Sequence, residues 1–363
     1  MDGIKTKRVP EIELMKAIAI IGMVFVHILE GSLEYFENAW EFPGKIPYTA
    51  IEFLGGIPAA GVFTFAMGWG AAHSDRSTVK TYLKRAWQIG LLLFYVNIVY
   101  AILPGILDPD HFTPLKDHPW AIIGFNIYSF AALCMLYFAL MKKLQDKPAA
   151  RAGISIGIVA AIMLVEIFVD HETYTGNEWI ATLIGAVVRQ NHYSWFPIVP
   201  WGIFPIMGYG AGLLYRRWDN RVKFMSLAMV TGAALVTVSE IATRMKGLPR
   251  GAANPGWVID EADYYCLSPW SVVCAVGIIC LETALAFGIM SLADGKLHPV
   301  LANMSRHVMA MFIVHWIFVS PLFLYLIHVT NVWYNVLIGL GTLIATYVVV
   351  ELWYHFRSSR AAS

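Results

Sequence analysis

The chain contains few charged residues and few cysteines. Of its 363 residues only 14% are charged, against 58% that are hydrophobic, and the mean hydropathy is +0.59. These values lie outside the range of soluble globular proteins and exclude a soluble fold. The four cysteines show no C-x-x-C spacing, so neither a disulfide framework nor a zinc site is indicated. There is also no internal repeat, low-complexity tract or nucleic-acid-binding signature.

Apolar segments long enough to cross a bilayer recur along the whole sequence. About 17 to 25 apolar residues span the ~30 Å hydrocarbon core as a helix. Because no soluble domain fits between these segments, we predict a single membrane domain over residues 1–363. The predicted fold is an all-α polytopic membrane protein with about ten transmembrane helices, over residues 12–30, 49–72, 86–103, 120–141, 153–169, 196–214, 224–241, 270–292, 308–328 and 332–354.

The basic residues are distributed unevenly between the predicted loops. Most of the 26 lysines and arginines fall at the termini and in alternate loops, whereas the intervening loops are acidic. The positive-inside rule therefore places both the N- and C-termini in the cytoplasm. The first span carries Lys16 and His27, lacks a small-residue cleavage site and is followed by further spans, so we interpret it as a retained helix rather than a signal peptide.

Three ionisable residues lie within residues 16–30 of the first span, where each is costly unless it is paired or hydrated. Lys16 and His27 are eleven positions apart, which on an α-helix is three turns plus about 20° and a rise of ~16 Å. They therefore lie on one face. Glu30 follows His27 by three positions, within reach of its side chain.

This arrangement favours a catalytic interpretation. An imidazole beside a carboxylate suits a general base, because the carboxylate stabilises the imidazolium that forms. A fixed cation about half a bilayer away suits a long anionic co-substrate with phosphates at the cytoplasmic rim, which is the shape of an acyl-CoA. The alternative is that Lys16 snorkels to headgroups and that His27 makes one buried hydrogen bond.

Four stretches of the sequence resemble the transmembrane acyltransferase superfamily, which includes the acyltransferase-3 proteins and the heparan-α-glucosaminide N-acetyltransferase-like proteins. The first is Lys16, ten residues, then His27, where the acyltransferase-3 branch usually has arginine in place of lysine. The other three are GVFTFAMGWGAAHSDRS (61–77), YSWFPIVPWGIFPIMGYGAGLLYRR (193–217) and LANMSRHVMAMFIVHW (301–316).

The resemblance implies an acyl-CoA-dependent O- or N-acyltransferase of the bacterial inner membrane. It would move an acyl group, in our interpretation acetyl, from cytoplasmic acyl-CoA to a hydroxyl or amine acceptor at the outer face, with a sugar as the expected acceptor and glycan modification as the outcome. The expected catalytic residues are His27, Glu30 and His315, with direct transfer and an acyl-histidine intermediate both open.

Acyl-CoA is expected as a co-substrate, and no metal is expected. The expected partners are the lipid bilayer, acyl-CoA and a carbohydrate, not nucleic acid, and a homodimer is left open.

The same resemblance suggests two sets of binding residues. Polar residues near the cytoplasmic ends of spans are assigned to the donor phosphates: Lys16, Arg85, Arg216, Arg217, Asn303, Ser305 and Arg306. Outer residues rich in rings and hydrogen-bonding groups are assigned to the acceptor: Arg189, Asn191, His192, Tyr193, Trp195 and Trp201. The alternatives are topology and lipid headgroups for the arginines, helix capping for Ser305 and an interfacial aromatic belt for the outer set.

Two features of the sequence are not explained by this interpretation. His315 lies about seven residues into its predicted span and His27 about fifteen into its own, which predicts depths ~10 Å apart. Glu282 falls near the middle of the eighth span, where a carboxylate can carry protons. A proton-coupled transporter or lipid flippase is therefore the rival hypothesis, although the sequence shows no clear internal repeat of the kind common in transporters.

Overall fold

The computed structural model describes residues 9–33, 57–110, 117–168, 176–188, 194–245, 267–320 and 332–362. The regular elements among these residues are helices, with no β-strand among them. In chain order the α-helices are α1 Pro10–Leu33, α2 Ile57–Ala72, α3 Val79–Gly90, α4 Leu92–Asn97, α5 Leu103–Leu107, α6 Ile127–Lys143, α7 Pro148–Phe168, α8 Glu178–Ile184, α9 Ile198–Trp201, α10 Ile203–Arg217, α11 Arg221–Met245, α12 Pro269–Leu292, α13 Pro299–Arg306, α14 Val308–Phe318 and α15 Val332–Ala362. A π-helical segment, Ile98–Ile102, joins α4 to α5, and a short 3₁₀ helix, Pro119–Ile123, precedes α6.

The chain divides into two compact units. The first unit consists of the described residues within 63–281, and the second of those within 8–62 and 282–363. The second unit is therefore built from the beginning and the end of the sequence, with α1 packed against α13, α14 and α15.

Five of the described helical segments are long and apolar enough to cross a membrane: Pro148–Phe168, Ile198–Arg217, Arg221–Met245, Pro269–Leu292 and Trp333–Ser359. The shorter apolar stretches Ala59–Ala72 and Val308–Phe318 accompany them. This finding supports a helical membrane protein. The total of ten spans and the orientation of the termini stay predictions.

The predicted span 86–103 is divided in the structure. Helix α3 begins earlier, at Val79, because the side chain of Thr78 accepts a hydrogen bond from the Thr81 amide and satisfies the helix N-terminus. Leu91, between α3 and α4, keeps helical backbone dihedrals, and α4 passes directly into the π-helical segment. The irregularity of this helical run was not predicted from the run of apolar residues.

A buried asparagine pair organises this part of the first unit. The side-chain amide of Asn126 donates to Asn97 Oδ1 at 3.0 Å, while its oxygen accepts from the amides of Tyr128 and Ser129 and caps α6. The amide of Asn97 donates to the carbonyls of Ile122 and Gly124. Because every contact satisfies a buried polar group, the pair stabilises the junction of α4, the 3₁₀ helix and α6.

Within the first unit, α10 packs closely on the residues of α2. A Cβ atom on Gly208 would overlap the backbone of Phe65, and one on Gly68 would overlap the backbone of Pro205. The two helices approach so closely because glycine stands at both positions.

Candidate active site

Helices α1 and α14 bring two histidines together in the second unit. The rings of His27 and His315 lie 5.8 Å apart between centroids and are stacked, with 21° between their planes. Trp316 contacts both rings, at 5.0 Å from His27 and 5.3 Å from His315. The ring of Phe312 meets the edge of His315 at 5.2 Å. The two predicted catalytic imidazoles therefore share one aromatic cluster.

His315 is fully buried, and its hydrogen bonding defines its tautomer. Its Nδ1 lies 3.3 Å from the carbonyl oxygen of Met311, which is an acceptor only, so Nδ1 carries the proton and donates. Its Nε2 then holds a lone pair, and it has no hydrogen-bond partner among the residues that the structure describes. A buried nitrogen of this kind is unusual in a folded protein and can accept a hydrogen bond from a substrate.

Glu13, Lys16 and Ser305 form a three-residue network at the start of α1, which we call the Glu13 clamp. Lys16 Nζ donates to one carboxylate oxygen of Glu13 at 2.7 Å, and Ser305 Oγ donates to the other at 2.7 Å. Lys16 Nζ also lies 3.5 Å from the carbonyl oxygen of Ser305. The side chains of Lys16 and Glu13 are only 20% and 15% exposed, so the clamp joins α1 to α13 through largely buried groups.

The Glu13 clamp explains why the two histidines meet. Ser305 lies level with Lys16, and His315 follows Ser305 by about as many residues as separate His27 from Lys16. Because α1 and the pair α13–α14 run in the same direction, equal steps bring both rings to the same level. The predicted depth difference of ~10 Å was wrong because α13 was not foreseen. Since Ser305 lies beside Lys16, α14 begins level with a point inside α1 and not with its first residue.

The other predicted residues of the second unit lie around this cluster. Asn303 Nδ2 is 3.5 Å from Glu351 Oε2 on α15, and the ring of His307, between α13 and α14, contacts that of Tyr354 at 3.8 Å. Arg306 is exposed. Glu30 belongs to the last turns of α1, but its side chain lies outside the described residues, so its contact with His27 stays a prediction.

The predicted donor-binding arginines of the first unit are in different situations. Arg216 forms a two-pronged ion pair with Asp75, at 3.0 and 3.2 Å, and donates to the carbonyl of Ala72 at 2.8 Å. Its guanidinium is thus already engaged. Arg85 and Arg217 are exposed.

Next to the Arg216–Asp75 pair, His73 follows the end of α2. Its Nδ1 donates to the carbonyl of Trp69 at 3.0 Å, and its ring stacks on that of Trp69 with 6° between the planes. Burial lowers the pKa of His73 below its ordinary value, so the imidazole is held in its neutral form.

Most of the predicted acceptor residues fall outside the described residues: Arg189, Asn191, His192 and Tyr193. Trp195 is described, and its backbone amide donates to the carbonyl of Phe125 at 2.9 Å. Trp201 is fully buried and packs against the rings of Phe196 and Phe204, at 4.9 and 5.5 Å. The side chain of Trp201 is therefore part of the packing of the first unit.

Sequence reasoning missed two contributors to the site, Glu13 and Trp316. Glu13 precedes Lys16 by three positions, a spacing that pairs side chains on a helix and was readable from the sequence. Trp316 follows His315 directly, and nothing in the sequence indicated that its ring would contact both imidazoles. No cluster of three or more metal-ligating side chains occurs in the described parts of the chain.

The fold and this cluster define a helical membrane protein with an imidazole pair inside one of its units. The family model for the acyltransferase domain of the acyltransferase-3 family matches residues 9–351. The chain belongs to this family, and it is therefore a multi-pass membrane acyltransferase. A search among curated proteins gave no match.

Proposed function

We propose that the protein transfers an acyl group, acetyl in the first instance, from cytoplasmic acyl-CoA to a hydroxyl or amine of a sugar at the outer face of the bacterial inner membrane. The stacked pair of His27 and His315, within a chain of the acyltransferase-3 family, is the observation that carries the proposal. The ten spans and the cytoplasmic termini predicted from the sequence are part of it.

In the proposed reaction His27 acts as the general base. It takes the proton from the acceptor hydroxyl or amine, whose oxygen or nitrogen attacks the carbonyl carbon of the thioester. The carbon–sulfur bond breaks, and the CoA sulfur leaves as a thiolate that takes up the proton. His315 Nε2, which lacks a partner among the described residues, is suited to accept a hydrogen bond from the acceptor or from His27.

Lys16 is proposed as the contact for a donor phosphate. Its ammonium group has three donors, of which one meets Glu13 and a second points at the Ser305 carbonyl. One donor is left for an anion. Since a lysine acts on phosphate as a point charge rather than a fork, the contribution of Lys16 to donor affinity is expected to be moderate. Arg85, Arg216, Arg217, Asn303, Ser305 and Arg306 stay candidates for the same role.

The proposal is tested first by binding and then by chemistry. The purified full-length protein is heated with acetyl-CoA, ATP or pantetheine, because a ligand that binds the folded state raises the melting temperature. We expect acetyl-CoA to stabilise the wild type and to stabilise Lys16→Ala less. Lys296→Ala removes an exposed lysine from the same unit and is the control.

His27→Ala is then assayed for acetyl transfer to glucosamine as the amine probe and methyl glucoside as the hydroxyl probe. We expect acetyl-CoA binding to be retained and transfer to fall by about 10²-fold or more. Full activity of His27→Ala would overturn the mechanism. Absence of any stabilisation by acetyl-, succinyl- and longer acyl-CoAs would overturn the choice of donor.

Glu282 supports the second candidate, a proton-coupled transporter or lipid flippase. Its Oε2 is buried and has no hydrogen-bond partner within the described ranges, and such a carboxylate inside a span suits a proton relay. Proton flux into liposomes that contain the wild type, but not Glu282→Gln, would favour this candidate. Undiminished acetyl transfer by Glu282→Gln, without proton flux in either protein, would remove it.

A further inference from the structure

The first unit contains a half-buried arginine whose charge is not matched by a carboxylate of the described residues. Arg151 lies in the first turn of α7, is half-buried and forms no ion pair with any residue that the structure describes. Leaving a half-buried cation unpaired costs free energy, because burial removes part of its water without supplying a counter-charge. Arg151 is not among the residues that the sequence suggested for any binding role.

The hydrogen bonds around Arg151 leave N–H and O–H donors without acceptors among the described residues. Its Nη1 donates to the hydroxyl oxygen of Tyr209 at 3.2 Å, while its Nε is buried and without a partner among the described residues. Because the Tyr209 oxygen is occupied as an acceptor, its own proton remains to be donated, and no described residue accepts it.

The neighbouring hydroxyls do not supply the missing acceptor. Ser155 Oγ donates to the backbone carbonyl of Arg151 at 2.8 Å, so the contact between Tyr137 and Ser155, also 2.8 Å, has the tyrosine as its donor. Ser155 Oγ accepts from Tyr137, and no hydrogen bond joins it to the guanidinium within the described residues. The side chains of Arg151 and Tyr209 thus converge with N–H and O–H groups that both require an acceptor.

A comparison with Arg216 in the same unit shows what is missing. Arg216 is neutralised by the two carboxylate oxygens of Asp75 and by a backbone carbonyl. Arg151 has the same planar fork but only a tyrosine hydroxyl. An anion with several oxygen atoms would give Arg151 what Asp75 gives Arg216.

We propose that Arg151 and Tyr209 form a binding site for a phosphate group. A phosphate offers oxygens that accept two parallel bonds from a guanidinium and a further bond from a tyrosine hydroxyl. The rings of Tyr137 and Phe138 contact Tyr209 at 6.0 and 6.1 Å and fix its orientation. The last turn of α6 carries Lys142 and Lys143, which raise the local concentration of anions.

Two kinds of molecule carry a phosphate group that this site would bind. One is the coenzyme part of the acyl donor, and this source rests on the proposed function. The other is the headgroup of an anionic phospholipid, which requires no catalytic activity. Arg216, being already paired, is the weaker candidate for a phosphate than Arg151 in either case.

The test uses four full-length variants, each purified and first checked for a single peak in size-exclusion chromatography. Arg151→Gln removes the charge, Arg151→Lys retains it without the fork, and Tyr209→Phe removes only the hydroxyl. Lys147→Gln removes an exposed charge from the adjacent loop and is the matched control. The probes are CoA, inorganic pyrophosphate, and nanodiscs of phosphatidylcholine with or without phosphatidylglycerol.

We expect Arg151→Gln and Tyr209→Phe to weaken binding of a phosphate probe by about tenfold and about threefold, respectively. Arg151→Lys should be intermediate, and Lys147→Gln should change binding by less than about twofold. Weakened binding of CoA and pyrophosphate identifies the coenzyme as the source. Loss of only the stabilisation by phosphatidylglycerol identifies the lipid headgroup.

Unchanged binding of every probe by folded Arg151→Gln and Tyr209→Phe would overturn the phosphate site. If acetyl-CoA still stabilised the wild type but not Lys16→Ala, the proposed function would survive that result. Conversely, a phosphatidylglycerol effect at Arg151 in a protein that binds no acyl-CoA would uphold the site and overturn the proposed donor.

Discussion

The imidazole of His315 stacks on that of His27 at 5.8 Å between ring centroids. Since Nδ1 of His315 already donates to Met311, its Nε2 is the atom available to a substrate or to His27.

Substitution of His315 by asparagine and by glutamine separates the roles of its two nitrogens. Asparagine places an amide near the Nδ1 position and nothing near Nε2, whereas glutamine reaches the Nε2 position. If Nε2 takes part in the reaction, acetyl transfer should fall by about 10²-fold in His315→Asn and by clearly less in His315→Gln. Initial rates at saturating acetyl-CoA measure this difference. Equal losses in the two variants would mean that His315 acts through packing alone.

The Glu13 clamp should stabilise the second unit. Glu13→Ala leaves Lys16 without its counter-charge and Ser305 without its acceptor, so we expect the free energy of unfolding to fall by about 1–3 kcal/mol. Glu13→Gln keeps one oxygen and should lose less. Thermal unfolding in a fixed detergent measures both changes.

Arg244→Gln provides the control for the Glu13 variants, because it removes one side of an ion pair whose arginine is 68% exposed. We expect it to change stability by less than about 1 kcal/mol. If Glu13→Ala were as mild as Arg244→Gln, the clamp would not fasten α1 to α13. Acetyl transfer by Glu13→Ala should fall together with stability, because the level of His315 beside His27 depends on the clamp.

The close approach of α10 to α2 should tolerate a methyl group at one glycine and not at another. A Cβ at Gly208 would overlap the backbone of Phe65, whereas one at Gly210 meets no atom within 4 Å. Gly208→Ala should therefore lower the melting temperature markedly, since backbone cannot move aside as a side chain can. Gly210→Ala should be neutral or slightly stabilising. Similar melting temperatures for the two variants would contradict the packing.

The buried His73 should make stability depend on pH. Burial lowers its pKa below 6.5 in the folded protein, so the unfolded chain binds a proton more readily. The stability associated with neutral His73 is fully present above the pKa that His73 has in the unfolded chain. It is lost as the pH falls towards the lower pKa that His73 has in the folded protein. Between pH about 7.5 and about 5.5, the melting temperature of the wild type should therefore fall by more than that of His73→Asn. Parallel pH curves for the two proteins would exclude a contribution from His73.

Several helices could be predicted from the sequence because their boundaries follow the length of an apolar run. The predicted span 270–292 corresponds to Pro269–Leu292, and 12–30 lies within Pro10–Leu33. In these segments hydrophobic length alone selects a helix. The spacing of Lys16 and His27 likewise predicted a shared face, since helical geometry is regular over eleven residues.

The missed features depend on contacts between segments that are distant in sequence. The π-helical segment begins directly after Asn97, whose side chain pairs with that of Asn126, 29 positions away. The meeting of His27 and His315 depends on Glu13 and Ser305, which are 292 positions apart. Neither contact leaves a periodic pattern, so hydropathy and spacing do not reveal it.

The separation of Glu13 from Ser305 also has a consequence for biosynthesis. At about 5–20 residues per second, a ribosome needs roughly 15–60 s to add the residues between them. During that interval α1 is already made, yet the partner helices of Lys16 and His27 do not exist. In the nascent chain these polar groups of α1 must therefore stay hydrated or in contact with the insertion machinery. Truncated chains that end before Pro299 would contain α1 without its partner helices.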